Sequence, residues 1–370
     1  MPTFSAEDRT SVRDGVARLF AERSPLSSVR SAMETATGID ADLWQELAAM
    51  GVLGVAVPER FGGIGGDAVL IEALMEEVGA ALVCGPFLSS AVFAAALLEN
   101  LGDAEISAKL LPQMAAGSLI AAVAVQDAAA AGTQSGVAPK ARQKASGWRI
   151  EGEVAYVIHA DAAHILLVAA ETSEGLRVFL VEGNAHGLAR SPLSTFDKTL
   201  RLSRLRFDAT PARRIEARRE TTEALANALD LVRVALAGEQ AGGARRVLDI
   251  TVDYAKSRIQ FGRPIGSFQA IKHMAADLLL EVESATSAAR EAARLLSMGS
   301  ASAGAAVSLA ASACGDAFVK VTADAIQMHG GIAFTWDHDA HLYLRRARAD
   351  AQLFGTPAFH REQYLRAMGA

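Results

Sequence analysis

The chain has 370 residues, of which 51% are hydrophobic and 21% charged, and its formal net charge is -6 at pH 7. This composition is typical of a soluble globular protein with two or three domains and excludes a largely disordered chain. An acidic surface repels nucleic acid and anionic membranes, so we expect neither as the main partner. The longest apolar runs, such as residues 92–98, are much shorter than the roughly 20 residues of a membrane span.

The first charged residues are the acidic Glu7 and Asp8, so the N-terminal segment lacks the form of a secretory signal. The two cysteines, Cys84 and Cys314, stand among apolar or small residues, which predicts buried free thiols rather than a disulfide. Both observations fit a cytoplasmic location.

Helical periodicity dominates the first third of the chain. Apolar residues recur every three or four positions from Ser5 to about Leu119, and Ser5 with Asp8 predicts a capped helix start. The glycine-rich loop 51–67 lacks the lysine and the Ser/Thr of a phosphate-binding loop, so we assign no nucleotide to it. These patterns predict an α-helical domain over residues 1–118.

The middle third changes to strand-like segments with short connections, which predicts an antiparallel β domain over residues 119–215. Residues 216–370 return to helical periodicity. Helices are predicted at 220–257, after 269, at 305–328 and from about 340. Along the second of these, apolar steps of three and four are typical of a helix packed in a bundle. We therefore predict a C-terminal four-helix bundle.

Three glycines, Gly238, Gly242 and Gly243, lie inside the first of these helices. A glycine in the middle of a helix costs about 1 kcal/mol relative to alanine. Their presence predicts that another backbone packs closely at this point.

Two motifs in the last third suit an anionic ligand. Residues 258–269, RIQFGRPIGSFQ, join two predicted helices, and residues 327–331, QMHGG, end a third. An arginine with open backbone donors at helix ends can bind a diphosphate. Taken alone, the first motif is equally consistent with a helix-helix turn that carries a solvated arginine.

In this order and spacing the two motifs resemble those of the acyl-CoA dehydrogenase family. The stretch LWQELAAMGVLGVAVPERFGGIGGD, with MEEVG and CGPFLSS after it, is similar to the N-terminal domain of the same family. The resemblance covers nearly the full length and implies an α+β fold with an N-terminal α-helical domain, a middle antiparallel β-barrel and a C-terminal four-helix bundle. It also implies acyl-CoA as substrate and FAD as a cofactor shared across a subunit interface.

We call residues 258–269 and 327–331 the clasp, because in this family they hold the flavin dinucleotide of the neighbouring subunit. The resemblance assigns cofactor binding to residues of the clasp and to one later threonine. These residues are Arg258, Gln260, Phe261, Phe268, Gln269, Gln327, Gly330, Gly331 and Thr356.

The middle domain departs from the family pattern at the expected flavin-ring site. Instead of an acidic, Gly/Ser-rich loop, residues 126–136 read QDAAAAGTQSG, so methyl groups replace hydroxyls. Where the family has an aromatic-Ile-Thr motif after a Gly-x-Lys, this chain has Gly152, Tyr156, Val157 and Ile158. An alignment shifted by one or two positions in this loop is the alternative interpretation.

Asp230 and Arg233 match an Asp-x-x-Arg motif of the family, with Arg233 standing 25 positions before Arg258. The resemblance places Asp230 near the pantetheine chain of coenzyme A, Arg233 as a support of the active site, and Gly355 at the substrate. A pair of opposite charges three positions apart is also a common structural ion pair on a helix.

The family's reaction removes the α-proton of an acyl thioester, which requires a carboxylate made more basic by desolvation. The family supplies this base from one of two positions, which are occupied in this chain by Val232 and Phe354. Neither side chain accepts a proton, so the sequence predicts no catalytic residue at either place.

One further cluster, Asp337, His338, Asp339 and His341, has metal-ligand residue types. At a helix start, aspartates usually cap the helix and histidines are solvated. We therefore predict no metal site.

Two hypotheses follow. In the first, the chain is the base-lacking partner subunit of a heteromeric, FAD-dependent acyl-CoA dehydrogenase, similar to those that act on steroid side chains. In the second, it is a self-sufficient homo-oligomer whose base lies at a non-standard position, with Glu239 and Asp350 as the nearest acids. Either form is a dimer or tetramer, and the family commonly passes electrons to an electron-transferring flavoprotein.

Overall fold

The computed structural model describes residues 4–125, 138–145 and 147–369. The α-helices in these ranges are α1 (Ala6–Arg23), α2 (Leu26–Met33), α3 (Ala41–Ala49), α4 (Ala68–Ala80), α5 (Ala95–Leu101), α6 (Ala104–Ala115), α7 (Thr221–Ser257), α8 (Gln269–Ser297), α9 (Ala303–His329), α10 (Ala340–Asp350) and α11 (Pro357–Ala367). The strands are β1 (Ala121–Ala124), β2 (Lys140–Lys144), β3 (Gly147–Ile158), β4 (Ile165–Thr172), β5 (Gly175–Glu182), β6 (Leu188–Pro192), β7 (Leu202–Arg214), β8 (Ile259–Gln260) and β9 (Arg263–Pro264).

The chain divides into two compact units. The first comprises residues 31–67 and 84–232, and the second comprises residues 4–30, 68–83 and 233–369. The second unit thus groups α1 and α4, from the first third of the chain, with the helices of the last third. The domain boundaries expected near residues 118 and 215 remain predictions.

In the first unit, the strands form a small closed β structure. β4 pairs with β2 and β5, and the ring is completed through β3 and β7, while β1 and β6 lie outside it. Alternate residues of the strands point inward and form an apolar core that includes Ile150, Phe179 and Leu205. This architecture matches the predicted barrel.

Most strand pairings of the β domain are antiparallel, as predicted, and two are parallel. β1 pairs with β4 in parallel, with Ala121 opposite Ile165, and β2 also meets β4 in parallel. β1 and β4 can pair in parallel because the chain between them is long enough to return to the same end of the sheet. This connection contains β2 and β3.

The helices of the first unit pack beside the barrel's first strand. A π-helical stretch, Phe87–Ala94, runs directly into α5, and the hydroxyl of its Ser90 accepts a hydrogen bond of 3.0 Å from the backbone N–H of Ala121. Trp44 of α3 donates from its indole nitrogen to the Gly117 carbonyl at 3.1 Å. These bonds satisfy buried polar groups at the start of β1.

The second unit contains the predicted helical bundle. α8 buries the predicted stripe at Leu278, Val282, Ala285, Ala289 and Ala292. The two ends of the stripe are only half-buried, because α8 begins and ends near the surface. Both cysteines are buried and free, as predicted.

Glycines allow α4 to pack directly on α7. A Cβ added at Gly238 would lie 2.6 Å from the carbonyl oxygen of Glu72, and one added at Gly242 would overlap the carbonyl of Glu76. A Cβ added at Gly243 would lie 2.5 Å from the ring of Phe318 in α9. The predicted close approach of another backbone is therefore confirmed at Gly238 and Gly242, whereas the neighbour of Gly243 is a side chain.

The end of the chain forms two helices where one was expected. α10 begins at Ala340, but the chain turns after Asp350 and α11 begins at Pro357. Phe354 and Gly355 have φ values of 54° and 116° within this turn. The new helix starts because the Thr356 side chain accepts a hydrogen bond from the Phe359 N–H and Pro357 suits the first helical position.

One described stretch, Ala303–Phe334, is long and apolar enough to cross a membrane by length and composition. In its most apolar window, 44% of the residues are buried inside the protein. Core helices of water-soluble proteins pass the same test, so this match is weak evidence for a membrane span.

Candidate functional site

The first clasp segment is an exposed hairpin at the end of α7. Ile259 pairs with Pro264 and Gln260 with Arg263, and the turn between them has φ values of 53° at Phe261 and 74° at Gly262. Such a pair of left-handed residues is typical of a tight hairpin turn. The Phe261 side chain is 92% exposed, which is unusual for a large apolar group.

Arg263 and Phe268 form the base of this hairpin. The guanidinium of Arg263 lies 4.0 Å from the centre of the Phe268 ring, and the rings of Phe261 and Phe268 meet edge to face at 6.1 Å. Gln269 is exposed at the start of α8. Arg263 was absent from the predicted site, although a second arginine five positions after Arg258 was visible in the sequence.

The second clasp segment follows α9. Gln327 is exposed, and the chain leaves the helix at Gly330, which has a φ of 70°. A Cβ added at Gly262, Gly330 or Gly331 would meet no atom within 4 Å. Among the described residues, no side chain would therefore block the approach of a ligand at these three glycines.

This donor set fits a diphosphate. Arg258 is exposed and supplies a fixed positive charge, and the glycines at 262, 330 and 331 carry no side chain that would obstruct a diphosphate. The Gly330 N–H itself donates to the Ile326 and Gln327 carbonyls at the end of α9. The side-chain amide of Gln260 donates to the Ile259 carbonyl at 2.9 Å, and the Gln260 backbone pairs with Arg263 in the hairpin. The residues of the clasp fit the dinucleotide implied by the sequence.

The expected base positions lie on α7 and in the turn before α11. Val232 is fully buried, and Asp230 and Arg233 are half-buried on the same helix. The Nε of Arg233 donates a hydrogen bond of 3.2 Å to the backbone carbonyl of Phe354. The Arg233 side chain therefore supports the turn by binding the main-chain carbonyl of Phe354. The Phe354 side chain offers no proton acceptor.

His360 is a second donor to the same carbonyl. Its Nε2 lies 3.1 Å from the Phe354 oxygen, which only accepts, so Nε2 carries the hydrogen. A Cβ at Gly355 would lie 2.6 Å from this Nε2, which requires glycine at that place. Burial, and then the nearby Arg233, lower the pKa of His360 to about 4, so it is neutral at pH 7. No sequence motif pointed to His360.

The two acids named as alternative bases have different surroundings. Glu239 forms a buried ion pair with Arg346, which occupies its carboxylate. Asp350 is 1% exposed and lines a small cavity that Arg233 and His360 also line. Of the two, only Asp350 lies beside the supported turn.

The expected flavin-ring residues lie on β3. Gly152 has a φ of 128°, and Tyr156, with a φ of 59°, is 50% exposed at an irregularity in the pairing of β3 with β7. Val157 and Ile158 are buried. The alanine-rich loop 126–136 lies outside the described residues, and its role stays a prediction. Thr356 is described, but its hydroxyl is used to cap α11.

Comparison with known proteins places these features in one family. The profile for the acyl-CoA dehydrogenase N-terminal domain matches residues 6–118, and that for the acyl-CoA dehydrogenase C-terminal domain matches residues 222–369. The acyl-CoA dehydrogenase IpdE2 of Mycobacterium tuberculosis is 35% identical over 355 residues, which cover 95% of this chain and 94% of the relative.

Two solved structures share the whole fold. A variant of the Tcur3481-Tcur3483 steroid ACAD is 30% identical, with a TM-score of 0.88 and coverage of 98% of both chains. The ChsE4-ChsE5 complex from Mycobacterium tuberculosis is 26% identical, with a TM-score of 0.91 and coverage of 100% of this chain and 99% of that one. The chain belongs to the acyl-CoA dehydrogenase family, and its fold and both terminal domains are those of that family.

Proposed function

We propose that this chain is the base-lacking partner subunit of a heteromeric, FAD-dependent acyl-CoA dehydrogenase. The observation that carries the proposal is the turn at Phe354. Arg233 and His360 both bond its carbonyl and preserve its shape, while the side chain that it presents cannot accept a proton. The other expected position, Val232, is buried and equally inert.

The family is FAD-dependent, and the clasp is the part of this chain suited to hold the cofactor. Arg258 and the backbone at Gly331 would bind the diphosphate, for which Gly330 leaves room, and Phe268 and Gln269 would lie near the adenosine half. Bound FAD would supply the acceptor for the hydride that leaves the β-carbon of the substrate. The α-proton needs a carboxylate, which we assign to the companion chain.

Relatives support a heteromeric assembly. One similar structure is a complex of two proteins, ChsE4 and ChsE5, and another joins Tcur3481 and Tcur3483 in a steroid dehydrogenase. By analogy we propose an acyl-CoA with a steroid-derived acyl group as substrate. We also propose a cytoplasmic location and an electron-transferring flavoprotein as the acceptor, because the family commonly uses one.

A self-sufficient enzyme is the second candidate, and one observation favours it. Asp350 is buried and lines the same small cavity as Arg233 and His360. In this case the lone chain would bind flavin fully, and Asp350→Asn would abolish turnover while the bound flavin remained.

The decisive experiment measures flavin content and turnover of the purified chain alone. We expect little flavin and no oxidation of acyl-CoA by an artificial electron acceptor. Co-expression with a homologous chain that carries glutamate at the position of Val232 or Phe354 should restore both. Full flavin content with turnover by the lone chain would refute the proposal.

A matched pair of variants tests the clasp inside the co-expressed complex. Arg258→Ala removes the proposed diphosphate cation and should lower flavin content several-fold. The control is Lys256→Ala. Lys256 is an exposed cation two residues before Arg258 and pairs with Asp253, so its removal should leave the flavin content unchanged. Equal flavin content in the two variants would contradict the assigned role of Arg258.

A further inference from the structure

Three aromatic rings join the two segments of the clasp. Tyr254 lies one helical turn before Arg258, and His329 is the last residue of α9, directly before Gly330. Their rings stack with centres 4.4 Å apart and an angle of 28° between the planes. His338 meets the His329 ring edge to face at 4.5 Å and the Tyr254 ring at 6.3 Å.

Hydrogen bonds fix these rings to both backbones. The Tyr254 hydroxyl donates to the His329 carbonyl at 3.4 Å, and the Tyr254 carbonyl accepts from the Arg258 N–H at 2.8 Å. His329 Nδ1 lies 2.8 Å from the carbonyl of Ala325, so Nδ1 carries the hydrogen. The same tyrosine thus contacts the residue before Gly330 and supports the start of the hairpin.

The other ring nitrogen of His329 has nothing to bond. Its Nε2 is buried and has no hydrogen-bond partner among the described residues, and the whole residue is 4% exposed. A proton placed there would create a buried charged N–H group without an acceptor, next to a second imidazole. Such a group is strongly unfavourable in a protein interior.

Burial is the main reason why both histidines are neutral at pH 7. Burial lowers the pKa of His329, and the neighbouring His338 lowers it further. Burial also lowers the pKa of His338, with Arg30 acting in the same direction and Asp339 opposing it. Arg30 is held in place by bonds to the Asp339 carboxylate at 2.8 Å and to the His338 carbonyl at 3.2 Å. At neutral pH the rings therefore stack without charge repulsion.

We propose that Tyr254, His329 and His338 are positioning residues that lock the two clasp segments into one arrangement, and that protonation of His329 releases this lock. The lock itself is a property of this chain. Its consequence, weaker holding of flavin at acidic pH, rests on the proposed function of the clasp.

Hydrogen exchange measured by mass spectrometry on the full chain tests the lock without any flavin. Tyr254→Leu removes the central ring and should speed exchange in residues 259–268 and also in residues 330–339. The increase should be about 3- to 10-fold, the size expected for loss of an aromatic pair. Tyr254→Phe keeps the ring and should restore nearly normal exchange in both segments, while Lys256→Ala on the same helix should change neither.

The pH profile separates a lock from simple packing. After correction for intrinsic rates, exchange in both segments should rise together as the pH falls below 6.5, and His329→Phe, which cannot be protonated, should lose this rise. Unchanged exchange at 330–339 in Tyr254→Leu, or a flat profile for the unmodified chain, would overturn the proposal. Because the measurement needs no flavin, it can fail or succeed independently of the partner-subunit proposal.

Discussion

Arg346 of α10 and Glu239 of α7 form an ion pair inside the second unit, where their side chains are only 3% and 4% exposed. The arginine also reaches the carbonyl of Val83 at 3.5 Å. The pair joins two helices and neutralises the only acid on α7 that was considered as an alternative base. Its position therefore bears on both stability and mechanism.

Removal of one partner should expose the structural role of this pair. Glu239→Gln leaves the Arg346 charge buried without its counter-ion, and we expect a loss of about 3–5 kcal/mol in the free energy of unfolding. The double variant Glu239→Gln with Arg346→Met should lose less than the sum of the two single changes. Urea unfolding measures all three. A Glu239→Gln protein of normal stability would show that the carboxylate has another task.

The sequence predicted long helices and local motifs better than long-range pairings. α7 was expected from Glu220 to Ser257 and runs from Thr221 to Ser257, because a long periodic stripe marks both ends. The hairpin at residues 258–269 and the helix end at residues 327–331 could be recognised because each is a short continuous motif, whereas their role in cofactor binding stays a prediction. The parallel pairing of β1 with β4 and the grouping of α4 with the bundle depend on which distant segments meet, and no local pattern encodes that.

His360 was missed for the same reason. Its partner, the Phe354 carbonyl, is a backbone group that has no sequence signature, and its other neighbour, Arg233, is 127 positions away in the chain. By contrast, the close helix contact at Gly238 and Gly242 was predictable, because glycine is costly inside a helix and needs a packing reason.

Gly238→Ala should destabilise the second unit. The added methyl group would lie 2.6 Å from the Glu72 carbonyl oxygen, so α4 and α7 would have to move apart. We expect a loss of about 1–3 kcal/mol, as for other overpacked cores. Thermal or urea unfolding is the measurement.

The same substitution at Gly304 is a matched control. Gly304 lies in the first turn of α9, and a Cβ there would meet nothing within 4 Å. Alanine should therefore stabilise the helix by up to about 1 kcal/mol. If both variants were stabilised, the proposed contact between α4 and α7 would be absent.

Glu72 should make the protein less stable as the pH rises. It is 1% exposed, and burial, followed by the neighbouring Glu76, raises its pKa to about 9. The folded chain holds this proton up to about pH 9, whereas the unfolded chain releases it near its ordinary pKa of 4.5. Stability from this group is therefore complete below pH 4.5 and is lost as the pH rises towards 9. In the Glu72→Gln variant, the free energy of unfolding, measured by urea titration at a series of pH values, should not show this decline. The same decline in the variant and in the unmodified chain would contradict the prediction.

His360 should act on the acid side of the stability profile. Burial, with Arg233 adding to it, lowers its pKa to about 4 from an ordinary 6.5, so the folded chain keeps the ring neutral while the unfolded chain takes up a proton. Its contribution is therefore complete above pH 6.5 and is lost as the pH falls to 4. His360→Gln keeps an N–H donor for the Phe354 carbonyl but cannot titrate. We expect the free energy of unfolding of this variant, measured by urea titration at a series of pH values, to fall less between pH 6.5 and 4 than that of the unmodified chain. An identical fall in both proteins would mean that His360 is protonated, or exposed, in the folded state.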